Sequence, residues 1–170
     1  LLHRHVENLG LESVFIQYCP NAATERVKFD NDLRVFFWER VPSQGISVKW
    51  LSERLRYLFE RPSHVHLHLC PDPRETVSTG LYAVQELFPY CTVSVSEWFA
   101  TKEEYWSALE QCNVFISPRG AAGIGMSFLE AMARGMVVVA LDSPTHNEYI
   151  EDGINGILLS NLSHNLPSLN

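Results

Sequence analysis

The stretch of this 170-residue chain best equipped for chemistry runs from Ser117 to Gly135. Ser117-Pro118 leads into Arg119-Gly120-Ala121-Ala122-Gly123-Ile124-Gly125, and an apolar helical repeat follows. Gly120, Gly123 and Gly125 would let the backbone approach a ligand closely. A helix starting there offers unpaired N–H groups and the positive end of its dipole, which suits a phosphate or diphosphate. A second cluster is His64-x-His66-x-His68. Strand alternation puts its three imidazoles on one face, so a zinc site is geometrically permitted. Such a site needs a fourth ligand, and this strand is expected in the sheet rather than at the cleft, so no metal is expected. His146, beside Asn147 and Glu148, falls nearer the expected cleft, as a ligand contact or as a loop cap.

The elements that must position these residues follow from the spacing of apolar positions. Leu33–Trp38, His64–Leu69, Thr92–Ser96, Asn113–Ser117, Met136–Leu141 and Gly156–Leu159 read as strands. Between them, Val48, Leu51, Leu55 and Leu58 mark a helix that Ser47 can cap, and Val77, Leu81, Val84 and Phe88 mark another. Thr101-Lys102-Glu103-Glu104 is a capping box that starts a helix ending near Gln111. Gly125–Arg134 is helical with Gly135 as its stop, and Asn147–Asp152 is a short helix. Six strands alternating with helices predict a doubly wound, mostly parallel α/β sheet of Rossmann-like type, with a ligand crevice at the carboxyl ends of its strands. Ser13–Tyr18 reads as an extra strand in a linker spanning residues 1–24, ahead of a domain over 25–160 and a polar tail over 161–170.

Composition narrows the partners. With 46% hydrophobic residues, 19% charged ones and a formal charge of −7, the chain is one ordinary globular domain without the basic surface of a non-specific nucleic-acid binder. Cys19, Cys70, Cys91 and Cys112 are widely spaced and form no C-x-x-C pair, which fits a reduced, cytoplasmic protein. No apolar run approaches the roughly 20 residues of a membrane span. The chain opens on Leu1-Leu2, which suggests a piece of a longer protein.

Two kinds of enzyme could own the glycine loop. A dinucleotide dehydrogenase would use Gly120, Gly123 and Gly125 as a G-x-x-G-x-G fingerprint, with Asp142 on the ribose. That fingerprint belongs on the first strand of its domain, whereas three strand–helix units precede this one. The second owner explains more residues. The run Ser117-Pro118…Gly123-Ile124-Gly125-Met126-Ser127-Phe128-Leu129-Glu130-Ala131-Met132-Ala133-Arg134-Gly135 resembles the nucleotide-sugar loop of GT-B enzymes of the "glycosyl transferases group 1" family, P-S-x-x-E-G-F-G-L-x-x-L-E-A-M-A-x-G. The strand Val137–Ala140, the pair Asn147-Glu148 and the ending Glu151-Asp152-Gly153-Ile154-Asn155-Gly156-Ile157-Leu158 continue the likeness. Upstream, Trp38-Glu39-Arg40-Val41-Pro42-Ser43-Gln44-Gly45 resembles the family's G-R-l-x-x-x-K-G element, and Cys19-Pro20-Asn21 the end of its interdomain linker.

The resemblance implies the C-terminal, donor-binding half of a retaining glycosyltransferase, with the acceptor-binding domain of about 150 or more residues lying upstream. Arg40 and Glu130 are then the catalytic candidates, Arg40 on the diphosphate and Glu130 on the ribose hydroxyls. Gly123, Ile124, Gly125 and Met126 would offer backbone N–H groups to the sugar and diphosphate, and Trp98 lies in the loop that holds the base. Trp38 reads as core. Two positions depart from the family: Ala122 stands where the first of its paired glutamates belongs, and Gln44 stands for its phosphate lysine. Arg119 could restore the missing positive charge. The implied substrates are a UDP-sugar and a lipid-linked saccharide, with N-acetylgalactosamine transfer in bacterial O-antigen synthesis as the nearest likeness. No metal or other cofactor is implied, and peripheral contact with the cytoplasmic face of the inner membrane would fall to the other domain. A nucleotide-sugar epimerase on the same fold and a degenerate, non-catalytic nucleotide-binding module stay open beside this reading.

Overall fold

The computed structural model describes residues 2–14, 16–23, 26–30, 32–44, 46–58, 62–75, 84–120 and 125–161, with the side chains of residues 2, 3 and 56–58 left aside. Six strands form one parallel sheet: β1 (Leu33–Trp38), β2 (Pro62–His68), β3 (Thr92–Ser96), β4 (Val114–Ile116), β5 (Val137–Leu141) and β6 (Gly156–Leu159). Their order is β3-β2-β1-β4-β5-β6, so the winding direction reverses between β1 and β4. This is the doubly wound Rossmann-like arrangement, and the reversal leaves a crevice at the carboxyl ends of the two central strands.

Strand residues alternate between two cores. Val35, Phe37, Val65, Leu67, Val114, Ile116 and Val139 pack on one side with Val48, Leu51 and Leu55 of α2 (Val48–Leu58) and with Phe88, just beyond α3 (Val84–Leu87). Phe36, Phe115, Val138 and Ala140 pack on the other side with Leu109 of α4 (Lys102–Glu110) and with Phe128, Leu129 and Ala131 of α5 (Met126–Ala133). Central strands covered on both faces have no polar side, which is why β1 reads as an unbroken apolar run from Val35 to Trp38.

The helix ends are satisfied by named groups. Ser47 Oγ accepts from the Trp50 N–H at 3.2 Å, and the buried Glu39 carboxylate accepts from the Val48 N–H at 2.8 Å, so α2 starts on two caps. Thr101 Oγ1 accepts from the Glu104 N–H, the first half of the expected capping box, while Glu104 Oε2 reaches one residue past the cap and accepts from the Ala100 N–H. At the far end of α5, Gly135 takes φ +76°, and the carbonyls of Ala133 and Arg134 accept from the N–H groups of Ala23 and Val27. The segment before the sheet is thereby tied to the end of α5.

Three expectations are corrected. Leu2–Asn8 is a helix, α1, where the sequence pattern had suggested only a linker. The described residues of 13–18 form no strand: Val14 and Ile16 are 84% and 83% exposed and belong to no strand of the sheet. Around Asn147 there is only a single 3-10 turn, His146–Glu148, too short to bury an α-helical face. Val77, Leu81 and residues 162–170 lie outside the described residues.

Candidate functional site

A cleft of about 650 Å³ opens at the carboxyl ends of β1, β2 and β4, against the starts of α4 and α5. Its floor is Trp38 and His68 from the strand ends, and Ser117 and Pro118 beyond β4. Arg40, Arg119, Lys102, Tyr105 and Glu130 bring charge and hydrogen-bonding capacity to its walls. The cleft therefore sits where open α/β sheets bind ligands.

Two guanidinium groups converge on one carboxylate. Arg40 Nε donates to Asp72 Oδ1 at 2.7 Å, and Arg119 Nη2 donates to Asp72 Oδ2 at 2.5 Å. The guanidinium of Arg40 also lies over the Trp38 ring, 4.5 Å from its centroid, which fixes its plane. All three charged side chains keep about a third of their surface in solvent, so an incoming anion can reach them. Asp72 neutralises one of the two positive charges, and a diphosphate with more negative charge can take over its partners.

The start of α5 supplies the second anion-binding element. Gly125 takes φ +70°, and a Cβ there would meet the Phe128 ring at 2.0 Å, so only glycine fits the turn. Among the described residues no side chain caps this end, and its first turn lies at the cleft, which Gly125, Met126 and Ser127 line. One turn further on, Glu130 Oε1 pairs with Lys102 Nζ at 2.8 Å, its side chain 12% exposed. A carboxylate so placed can accept hydroxyl protons from a ligand whose phosphate lies at the helix start.

The expected site residues thus divide. Arg40, Arg119, Gly125, Met126, Glu130 and Trp98 line one cleft, Trp98 on its rim at 67% exposure. Gln44 does not line it and sits exposed on the 3-10 turn Pro42–Gln44. Gly123 and Ile124, with Ala122, lie outside the described residues. Trp38 is core, as expected, but also wall: it is 8% exposed, its Nε1 donates to Cys70 O at 2.8 Å, and its ring lines the cleft. Asp142 is not among the lining residues and accepts instead from Asn147 Nδ2, which removes the acid a dinucleotide fingerprint requires.

Histidine placement differs from expectation at one point. β2 does reach the cleft, because its last residue, His68, forms part of the floor. The ring nitrogens of His64 and His66 and Nδ1 of His68 are engaged by Thr92, Ser94 and Ser96 at 2.8–2.9 Å. Among the described residues no group of three or more histidine, cysteine or acidic side chains is arranged to hold a metal ion. His146 is a buried cap: its Nδ1–H donates to Leu141 O at 2.8 Å, and its Nε2 accepts from the Ser117 hydroxyl at 3.1 Å. Burial pulls its pKa below the usual histidine value and keeps it neutral.

Sequence reasoning missed Asp72, Lys102 and Tyr105, and considered His68 only as a metal ligand in the sheet. Only the capping box drew attention to Lys102, and nothing linked it to Glu130, 28 positions away. Tyr105 has a buried hydroxyl with no hydrogen-bond partner among the described residues, and burial pushes its phenol well above the usual range.

Comparisons with known proteins bear on the fold and the family. The apo lipopolysaccharide outer core galactosyltransferase WaaB superposes with a TM-score of 0.59 at 18% identity, over 93% of this chain and 46% of its own. TarM gives 0.53 at 19% identity, over 85% of this chain and 28% of its own. The C-terminal domain of the group 1 glycosyl transferase LpcC from Francisella tularensis gives 0.50 at 19%, over 79% and 69%. The chain therefore spans less than half the length of WaaB and of TarM. These likenesses show the fold, that of GT-B glycosyltransferase domains. No curated protein sequence matches the chain. The model of the family "Glycosyl transferases group 1" matches residues 33–166, from the first residue of β1 past the end of β6, and the chain belongs to that family.

Proposed function

We propose that this chain is the donor-binding half of a retaining glycosyltransferase that moves a hexose or N-acetylhexosamine from a UDP-sugar to a lipid-linked saccharide. N-acetylgalactosamine transfer in bacterial O-antigen synthesis is the narrowest form of the proposal. The observation that carries it is the convergence of Arg40 and Arg119 with the uncapped start of α5 and with Glu130 in one cleft. The likeness to WaaB, a lipopolysaccharide outer core galactosyltransferase, supports a sugar donor and a saccharide acceptor.

The chemistry asked of this half is electrostatic. As the glycosidic bond to the donor loosens, negative charge builds on the leaving diphosphate. Arg40 and Arg119 would take that charge in forked hydrogen bonds, and the N–H groups of α5 would take the remainder. Glu130 would hold the ribose and so fix how far the phosphates reach along the helix start. The proposed mechanism gives this role to the protein's own cations and asks no metal of the site.

Calorimetric titration with UDP, GDP, ADP and NAD tests the reading. UDP should bind best, and Glu130→Gln, which loses the negative charge and one of the two acceptor oxygens, should weaken it about tenfold. Preference for NAD, or UDP binding indifferent to Glu130→Gln, would overturn it.

A further inference from the structure

The three histidines of β2 stand opposite Thr92, Ser94 and Ser96 of β3, in register as His64 with Thr92, His66 with Ser94 and His68 with Ser96. Each imidazole of the first two spans two rungs. His64 touches Thr92 through Nδ1 and Ser94 through Nε2, both at 2.9 Å. His66 touches Ser94 through Nδ1 and Ser96 through Nε2, both at 2.8 Å. His68 touches Ser96 through Nδ1 at 2.8 Å.

One hydrogen at the bottom of this ladder orders all the others. The Thr92 hydroxyl donates to the carbonyl of Ser63 at 3.0 Å, and it has no second proton to give. His64 Nδ1 must therefore carry the hydrogen toward Thr92, and its Nε2 accepts from Ser94. Ser94 has then spent its proton, so His66 donates from Nδ1 and accepts at Nε2 from Ser96. Ser96 is spent in turn, and His68 donates from Nδ1. Its Nε2 is left with a bare lone pair.

That lone pair meets no rung. The next position on β3's side is residue 98, but the strand ends at Ser96 and Trp98 carries no hydroxyl. His68 is 2% exposed and lines the cleft, where rings surround it: Phe99 stacks on it at 4.8 Å, with Trp38 at 5.1 Å and Trp98 at 6.3 Å. Flat aromatic walls around one acceptor suit a planar ring that bears an N–H.

We infer that His68 Nε2 is a specificity-determining hydrogen-bond acceptor for the nucleobase of the donor, held in its unprotonated form by the hydroxyl ladder between β2 and β3. The inference rests on the donor-binding reading above and adds the residue that reads the base. Burial lowers the pKa of both His66 and His68 to about 4, so the neutral rings the ladder needs persist at neutral pH.

Two measurements on the chain test this. Long-range proton–nitrogen NMR should show His68 with a pyrrole-type Nδ1 and a pyridine-type Nε2, and UDP should shift the Nε2 signal. A protonated Nε2 in the free protein would overturn the inference. In titrations, His68→Leu should weaken UDP about tenfold while His68→Gln, which keeps an acceptor, retains most of the affinity. UDP methylated at the uracil N3 should bind the unaltered protein as weakly as UDP binds His68→Leu. If UDP binds and neither His68→Leu nor N3 methylation matters, the inference fails alone. If UDP does not bind the unaltered protein, the donor reading fails with it, whatever the NMR shows.

Discussion

Asp72 occupies the place where a diphosphate would be wanted. Its two oxygens engage Arg40 and Arg119 at 2.7 and 2.5 Å, so the carboxylate stands in for the anion the two cations would otherwise hold. Partly exposed ion pairs add about 0–1 kcal/mol to stability, so their arrangement bears more on binding than on folding. Asp72→Asn removes the competing charge while keeping the shape, and UDP should bind several-fold tighter with little change in Tm. Arg119→Ala should act the opposite way, weakening UDP about tenfold. Calorimetry on both variants checks the pair, and an Arg119→Ala protein of unchanged affinity would take Arg119 out of the site. Arg119 was legible in the sequence because it adjoins the glycine loop. Asp72 was not, since nothing in Cys70-Pro71-Asp72-Pro73 says which cations the folded sheet will bring to it. The Lys102–Glu130 pair was hidden for the same reason: both ends were visible, and only the packing of α4 beside α5 joins them.

At the scale of elements, the six strands were readable because β1, β4, β5 and β6 are short, mainly apolar runs and β2 and β3 alternate apolar with polar residues, and the parallel sheet followed from alternation with helices. What escaped was register. His64-x-His66-x-His68 and Thr92-x-Ser94-x-Ser96 are both plain in the sequence, but only parallel pairing of β2 with β3 turns the first from a candidate metal site into a hydrogen-bonded ladder. The ladder has a thermodynamic consequence. In the fold, His66 and His68 bind a proton only near pH 4, against 6.5 as ordinary histidines, chiefly because burial disfavours the charged ring. Between those values the unfolded chain binds more protons than the folded one, so stability falls as pH drops from about 6.5 toward 4. Thermal unfolding at a series of pH values should show Tm dropping through that window. His66→Gln, which cannot charge, should flatten the drop, and an unchanged slope would show that these rings are not its source.

The cleft lies at one end of a single sheet, and the groups proposed to bind the nucleotide line it. Transfer of a sugar needs more than a bound donor. The acceptor hydroxyl must be held within reach of the anomeric carbon, and that positioning converts an encounter into a reaction worth several kcal/mol of barrier. The proposed donor chemistry draws on residues that line this cleft: Arg40 and Arg119 for phosphate, Glu130 for ribose, and His68 with its rings for the base. Its fold covers 46% of WaaB, a transferase that carries additional chain. The expected behaviour of these 170 residues is therefore binding without turnover. UDP should bind by calorimetry, while a UDP-sugar mixed with a lipid-linked saccharide should release no UDP above the rate seen without protein. Acceptor-dependent release by this chain would mean that an acceptor site is built into the same sheet, and the division of labour between a donor half and an acceptor half would have to be abandoned.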